Sequence, residues 1–373
     1  MMSSLQFDAV REDKAGPKWA KRWARSWPSY EAWFIARGGD AGPTRSACEA
    51  ALREHMPELV PVWRRLVMLA GNGDRAARFL STWCPPSYLG GCSLAAASNG
   101  DTVRLVRNYD LSPDLNEGLL LRTEWTGEPV MGMVEFLWGL SDGVNGRGLS
   151  VALAYGGHSV VKQGFGITTI LRYLLETCGT VEEAISVLRR VPSHMGYNLV
   201  LADAGGATAS VEVIAGGGIA LMPKAIATNH QEVTPPERAE FTATYKRHAH
   251  LEMVLDTAPD PRRLRDQFQA EPLKQSNYAQ GFGTLFTAEY DPARGAMELI
   301  WPGESWAQTL ESFAEGTRVI SYDAAAAAGG GAYDSGQAAE AARAWVGFAE
   351  LDGCAAWSTA DWVTFGQSFA TRY

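Results

Sequence analysis

The 373-residue chain has no CxxC pair, no Walker phosphate loop and no third glycine to turn Gly164-Phe165-Gly166 into a dinucleotide fingerprint. Its five cysteines, Cys48, Cys84, Cys92, Cys178 and Cys354, are odd in number and widely spaced, which argues against a disulfide framework and a zinc site alike. No stretch reaches the ~18 uncharged apolar residues of a membrane span. The opening MMSSLQFDAVREDKAGPKWAKRW lacks the apolar run of a secretory signal. Basic residues are in the minority: 33 Lys and Arg against 42 Asp and Glu leave a net charge of −9, the wrong sign for a general nucleic-acid binder. These absences predict a soluble, cytoplasmic protein with no metal, no nucleic-acid partner and no membrane span. They leave the oligomeric state open.

What is present is a globular composition, 46% hydrophobic and 20% charged, in blocks of different texture. Residues 1–91 read as helical. Trp19, Trp23 and Trp27 alternate with Lys18, Lys21, Arg22 and Arg25, as in an amphipathic helix packed on the main body. Ser46 and Glu49 have capping-box spacing, and Glu58 to Ala70 puts Leu59, Val62, Trp63, Leu66 and Leu69 on one face before Gly71. After Leu89 come short runs bounded by turn residues: Thr102–Arg107 behind Asn99-Gly100, Leu119–Trp125, Val130–Phe136 and Leu149–Ala154. Two helices, Ile167–Thr177 and Val181–Arg190, precede further strands at Asn198–Ala202, Ala209–Ile214 and Gly218–Met222. Glu237–Leu255 and Arg262–Ala270 read as helices, and Gly283–Tyr290 with Ala296–Trp301 as a hairpin. Hairpin-length connections favour an α+β layered architecture over a doubly wound sheet. The run AAAAAGGG at 324–331 reads as a linker to a Trp-containing appendage ending at Tyr373.

Three segments carry candidate chemistry. Cys92 follows Gly90-Gly91 where the helical block gives way to strands, so the backbone before it is free to be approached closely. Arg107-Asn108-Tyr109-Asp110 ends the next strand, and hairpin geometry returns that end beside Cys92. There a guanidinium favours a thiolate and a carboxylate orients an amine. Thr228-Asn229-His230 follows a strand and offers an amide suited to oxyanion stabilisation. Each has a plainer reading: a buried cysteine, an Arg–Asp ion pair, a turn asparagine. His248 and His250, two apart in a helical stretch, face different ways and make poor metal ligands.

Taken in order, Gly91-Cys92, RNYD at 107–110, GVNGRGLSV around Asn145, RYLLETCGTVEEAISVLRRVP, NLVLADAGG at 198–206 and TNH at 228–230 resemble a known family. It is the N-terminal-nucleophile hydrolases of the acyl-coenzyme A:6-aminopenicillanic acid acyltransferase group, with β-alanyl-amine hydrolases among its members. It is more distantly similar to choloylglycine hydrolases and penicillin V acylases. The resemblance runs from about Leu59 to Asp323 and implies a four-layer αββα sandwich. It implies a precursor that cuts itself between Gly91 and Cys92, giving a helical segment 1–91 that stays associated with a core, 92–323, followed by an appendage, 324–373. Residue by residue, it implies Cys92 as nucleophile, Asp110 and Arg107 as its partners, and Asn229 as oxyanion donor. Asn145, Tyr155 and Arg247 become candidates for lining the site.

No cofactor is implied, with a coenzyme A thioester as the one conceivable co-substrate. An N-terminal cysteine joins an amine of pKa ~7.7–8 to a thiol of ~8.5, so base and nucleophile share one residue. Amide hydrolysis of a small molecule, acyl transfer to a small-molecule amine, and an inactive binding module all remain open. Trp138 and Tyr155, flanking the Asn145 turn, fit an apolar acyl pocket or simple core packing equally.

Overall fold

The computed structural model describes residues 3–88 and 91–322; the expected linker and appendage from 324 on, Cys354 included, lie outside them. Strand β1 (Ser3–Arg11) opens the chain, followed by helices α1 (Pro17–Ala36), α2 (Arg45–His55), α3 (Val60–Leu69) and α4 (Asp74–Ser81). Strands β2 (Gly91–Ser98), β3 (Val103–Leu111), β4 (Leu119–Thr123), β5 (Val130–Glu135), β6 (Gly139–Asn145) and β7 (Leu149–Tyr155) come next. Helices α5 (Ile167–Thr177) and α6 (Val181–Arg190) separate them from β8 (Tyr197–Asp203), β9 (Thr208–Val213), β10 (Ile219–Met222) and β11 (Ile226–Ala227). Helices α7 (Ala239–Thr242), α8 (Thr244–Asp256) and α9 (Leu264–Phe268) lead to β12 (Ser276–Asn277), β13 (Phe282–Asp291), β14 (Ala296–Trp301), β15 (Glu304–Thr309) and β16 (Gly316–Tyr322).

The strands form two sheets. One runs β10-β9-β8-β7-β6-β5-β4-β1-β16, the other β11-β2-β3-β13-β14-β15 with β12 beside β13. Strand periodicity sorts side chains into three cores. On β7, Leu149, Val151, Leu153 and Tyr155 join the core shared with the N-terminal helices, α5 and α6. Ala152 and Ala154 face the second sheet, opposite Leu94, Leu105 and Phe286. On β2, Ala95 and Ala97 point outward to a third core with Leu251 and Val254 of α8 and Leu264 and Phe268 of α9. Helix, sheet, sheet, helix: the fold is the α+β four-layer αββα sandwich.

The helical reading of residues 1–91 holds over α1–α4 and fails at the start. Ser3–Arg11 is a strand, parallel to β4 and antiparallel to β16. The reason is a period-two pattern: Leu5, Phe7 and Ala9 alternate into the inter-sheet core. The N-terminal segment is therefore partly woven into the larger sheet. Elsewhere, Thr44 and not Ser46 caps α2 by accepting from Ala47 N at 3.3 Å. The helix expected over 237–255 is broken at Ala243, whose φ of 47° cannot continue an α-helix. Trp19, Trp23 and Trp27 stack in sequence along α1, with centroids 5.4 and 4.4 Å apart, and Trp19 Nε1 donates to Leu137 O at 3.0 Å.

Candidate active site

The β2–β3 hairpin, turned at Asn99-Gly100 where Gly100 has φ +92°, sets the site by register. Gly91 lies opposite Asp110, Cys92 opposite Tyr109, and Leu94 opposite Arg107. Arg107 and Asp110, three apart on a strand, point to opposite faces. They are not each other's ion-pair partner, contrary to the plain reading of the motif. Arg107 lies in the inter-sheet space beside the Cys92 sulfur, and Asp110 lies on the α8 side.

On the inner face, Arg107 Nη2 donates to Cys92 Sγ at 3.0 Å. Its Nη1 donates to Asp142 Oδ2 at 2.6 Å and to Ser141 O at 2.8 Å. Asp142 also accepts from Tyr290 Oη at 2.6 Å. Burial opposes the Arg107 charge, but Cys92 and Asp142 outweigh it and hold the guanidinium protonated above its ordinary range. Burial also pushes the Cys92 thiol up to about 11, with Arg107 pulling the other way. In the intact chain, Cys92 therefore rests as a thiol.

On the outer face the centre is Arg247 of α8, fully buried. Its Nη1 donates to the Cys92 carbonyl at 2.6 Å, to Ser93 Oγ at 2.8 Å and to Asp110 Oδ2 at 3.5 Å. Its Nη2 donates to Asn229 Oδ1 at 2.7 Å. Asn229 Oδ1 accepts in turn from the Cys92 backbone nitrogen at 3.1 Å, while Nδ2 donates to Tyr155 O at 3.1 Å. Asn229 thus faces Cys92 with its oxygen, as an acceptor. Asp110 Oδ1 accepts from Thr284 Oγ1 at 2.7 Å; burial raises its carboxyl, and Arg247 counters. Gly91 is required sterically: a Cβ there would stand 2.2 Å from the Phe282 ring and 2.9 Å from Asp110 O.

Cys92, Arg107, Asp110, Asn229, Arg247 and the Tyr155 carbonyl thus converge. Asn145 does not. Its Nδ2 donates to Leu175 O and Cys178 O at 2.8 and 2.6 Å, and its Oδ1 accepts from Leu149 N at 2.8 Å. It closes the end of α5 against the β6–β7 turn. Trp138 packs with the helices, donating to Leu80 O at 3.0 Å, and is core. Sequence reasoning missed Asp142, because β6 was not read as a strand. Gly139-Leu140-Ser141-Asp142-Gly143 even has nucleophile-elbow spacing. It runs inside β6, however, with Ser141 buried, and makes no strand-to-helix turn. Among the described residues no group of three or more His, Cys, Asp or Glu could hold a metal ion. Among them, too, no helix is long and apolar enough to cross a membrane.

The sequence profile described as acyl-coenzyme A:6-aminopenicillanic acid acyl-transferase matches residues 97–306, more than half of the chain. The chain belongs to this family. Its chemistry is amide hydrolysis or acyl transfer, so the chain is of an enzyme family. No curated protein matches the chain. Solved structures similar to it include a mutant conjugated bile acid hydrolase from Clostridium perfringens, at 11% identity over 61% of this chain and 96% of that one, TM-score 0.39. Penicillin V acylase from Agrobacterium tumefaciens matches at 17% identity over 59% and 86%, TM-score 0.40. An N-acylethanolamine-hydrolyzing acid amidase ortholog from Caenorhabditis elegans matches at 13% identity over 61% and 99%, TM-score 0.42.

Proposed function

We propose that this acyltransferase-family chain is a self-processing cysteine N-terminal-nucleophile hydrolase that cleaves a linear amide through an acyl-thioester on Cys92. One observation carries the reading. Three side chains from separate segments converge on Cys92: Arg107 of β3 at its sulfur, Asn229 of the loop after β11 at its nitrogen and Arg247 of α8 at its carbonyl.

In the precursor the thiol adds to the Gly91 carbonyl. The S–C bond forms, the C–N bond breaks, and the sulfur proton ends on the departing nitrogen. Water then hydrolyses the thioester, leaving a Gly91 carboxylate and a free Cys92 amine and thiol. That amine, held by Asn229 Oδ1, becomes the base that the intact chain lacks. For a substrate amide it takes the thiol proton, passes it to the leaving amine, and then activates the water that releases the acid. Arg107 stabilises the thiolate, and Arg247 with Asp110 fixes the amine's carbonyl side. Asn229 Nδ2 keeps one hydrogen beyond its bond to Tyr155, and this is the donor assigned to the oxyanion. Because β1 belongs to the larger sheet, residues 1–91 remain attached after cleavage.

The family's acyltransferase description favours a second reading, in which a small-molecule amine takes the acyl group from the thioester. A coenzyme A thioester is then a candidate donor. Intact-protein mass spectrometry tests the first step: two pieces are expected, 91 and 282 residues long, with Cys92 at the new N-terminus. Amide turnover by a chain that stays intact overturns the amine mechanism. Competition between water and added amines for the acyl group separates hydrolase from transferase.

A further inference from the structure

Glu135, at the end of β5, takes no part in the chemistry above, yet it is tied to it. Tyr109, directly across from Cys92, donates its hydroxyl to Glu135 Oε1 at 2.5 Å. The Tyr109 ring carries Arg107, whose guanidinium carbon stands 4.3 Å from the ring centroid. The same ring stacks on Phe286 at 5.3 Å. Glu135 is therefore linked through one tyrosine to the guanidinium that touches the Cys92 sulfur. The Glu135 side chain accepts from Tyr109, and the residue is only partly covered.

The charges facing Glu135 come from several elements. Arg107 is the cation; Asp142 and Glu117 add negative charge, and Cys92 adds more when ionised. Tyr30, Tyr88 and Tyr197 also feel its charge. Arg107 is already committed to Asp142, so an ionised Glu135 and a thiolate would compete for one guanidinium. Resting on the reading of Cys92 as nucleophile, we infer that Glu135 is a positioning residue that works in its protonated form. Its carboxyl holds Tyr109 under Arg107, and when ionised it opposes the thiolate. Burial supports this by raising the Glu135 carboxyl to about 7, against the help of Tyr109 and Arg107.

The test is the pH dependence of Cys92 alkylation by iodoacetamide in the full chain, followed on the Cys92 peptide by mass spectrometry. Wild type, Glu135→Gln and Tyr109→Phe are compared. Glu135→Gln keeps an acceptor for Tyr109 and removes the charge, so the midpoint should fall by about one pH unit. Tyr109→Phe leaves the Glu135 charge in place and cuts its link to the ring under Arg107, so its midpoint should not fall. A merely structural role gives the opposite sign in Glu135→Gln, because a loosened Arg107 raises the midpoint. A reactive wild-type Cys92 with an unmoved or raised midpoint in Glu135→Gln overturns the role of Glu135 alone. A wild-type Cys92 unreactive at every pH overturns the nucleophile reading and this inference with it.

Discussion

Arg247 Nη2 donates to Asn229 Oδ1 at 2.7 Å, and the same guanidinium reaches the Cys92 carbonyl at 2.6 Å. The asparagine that holds the Cys92 nitrogen and the carbonyl of the same residue are thereby fixed by one side chain of α8. Burial works against this arginine's charge, and Asp110 and Cys92 support it. Such a group is costly to place and more costly to remove.

Arg247→Ala should therefore destabilise the protein by about 3–5 kcal/mol, since Asp110 is left as a buried carboxylate without its guanidinium. Arg247→Lys keeps a charge but cannot span acceptors on five residues, Thr242, Cys92, Ser93, Asp110 and Asn229, so it should fold better and still process poorly. Urea unfolding and a cleavage time course check both. Wild-type stability in Arg247→Ala would remove Arg247 from the centre of the outer face.

Much of this was legible from residue order. Hairpin register follows from Asn99-Gly100, and that register alone brings the RNYD strand beside Cys92. Which face each residue takes was also implicit, since Arg107 and Asp110 differ by an odd number, yet the motif was read as one cluster. Two things lay beyond local patterning. Strand β1 pairs with β4 and β16, partners distant in sequence, and its short alternation sits next to a strongly helical stretch. Arg247 reaches the site across a helix broken at Ala243, so no spacing rule linked it to Cys92. Asn145 went the other way: a conspicuous turn motif whose amide is used to close a helix end.

His230 should give the protein an acid-side instability. Its Nδ1 lies 2.9 Å from Thr244 Oγ1 and 3.1 Å from Thr228 Oγ1. Burial, with His248 and Arg247 nearby, lowers its pKa from 6.5 to about 4. Above 6.5 the ring is neutral folded or unfolded, and nothing is lost. As pH falls from 6.5 towards 4 the unfolded chain takes a proton that the folded one refuses, so stability declines. His230→Asn should flatten that part of a melting-temperature profile. An identical slope in wild type and variant would assign the loss to other groups.

Glu135 predicts the reverse sign between pH 4.5 and about 7. Its pKa rises from 4.5 to about 7 on folding, so the folded state keeps a proton that the unfolded state gives up across that window. Stability attributable to Glu135 is then lost as pH climbs from 4.5 to 7. Glu135→Gln should melt higher than wild type at alkaline pH, and the gap should close towards 4.5. Thermal melts of the two proteins side by side measure it. A gap that does not depend on pH would mean that the carboxyl does not titrate in the fold.

Cys92 and Asp110 together separate processing from architecture. Cys92→Ala removes the sulfur needed for both steps while leaving the backbone bonds to Asn229 and Arg247, so it should give a stable, uncleaved, inactive chain. Cys92→Ser keeps a much weaker nucleophile, because an alcohol is far less ionised than a thiol near neutral pH, and should cleave slowly if at all. Asn229→Ala loses both the acceptor for the Cys92 nitrogen and the oxyanion donor, and should lower turnover by about 10²–10³-fold. Asp110→Asn keeps a side chain that can accept from Thr284 but removes the charge opposite Arg247. If Asp110 serves the amine, cleavage and turnover fall together while the melting temperature shifts little. If it is only the counter-charge of Arg247, the melting temperature drops and the folded fraction cleaves normally. Measuring cleavage, melting and amide turnover on the same preparations decides between the two, and turnover retained by Cys92→Ala would end the assignment of Cys92 itself.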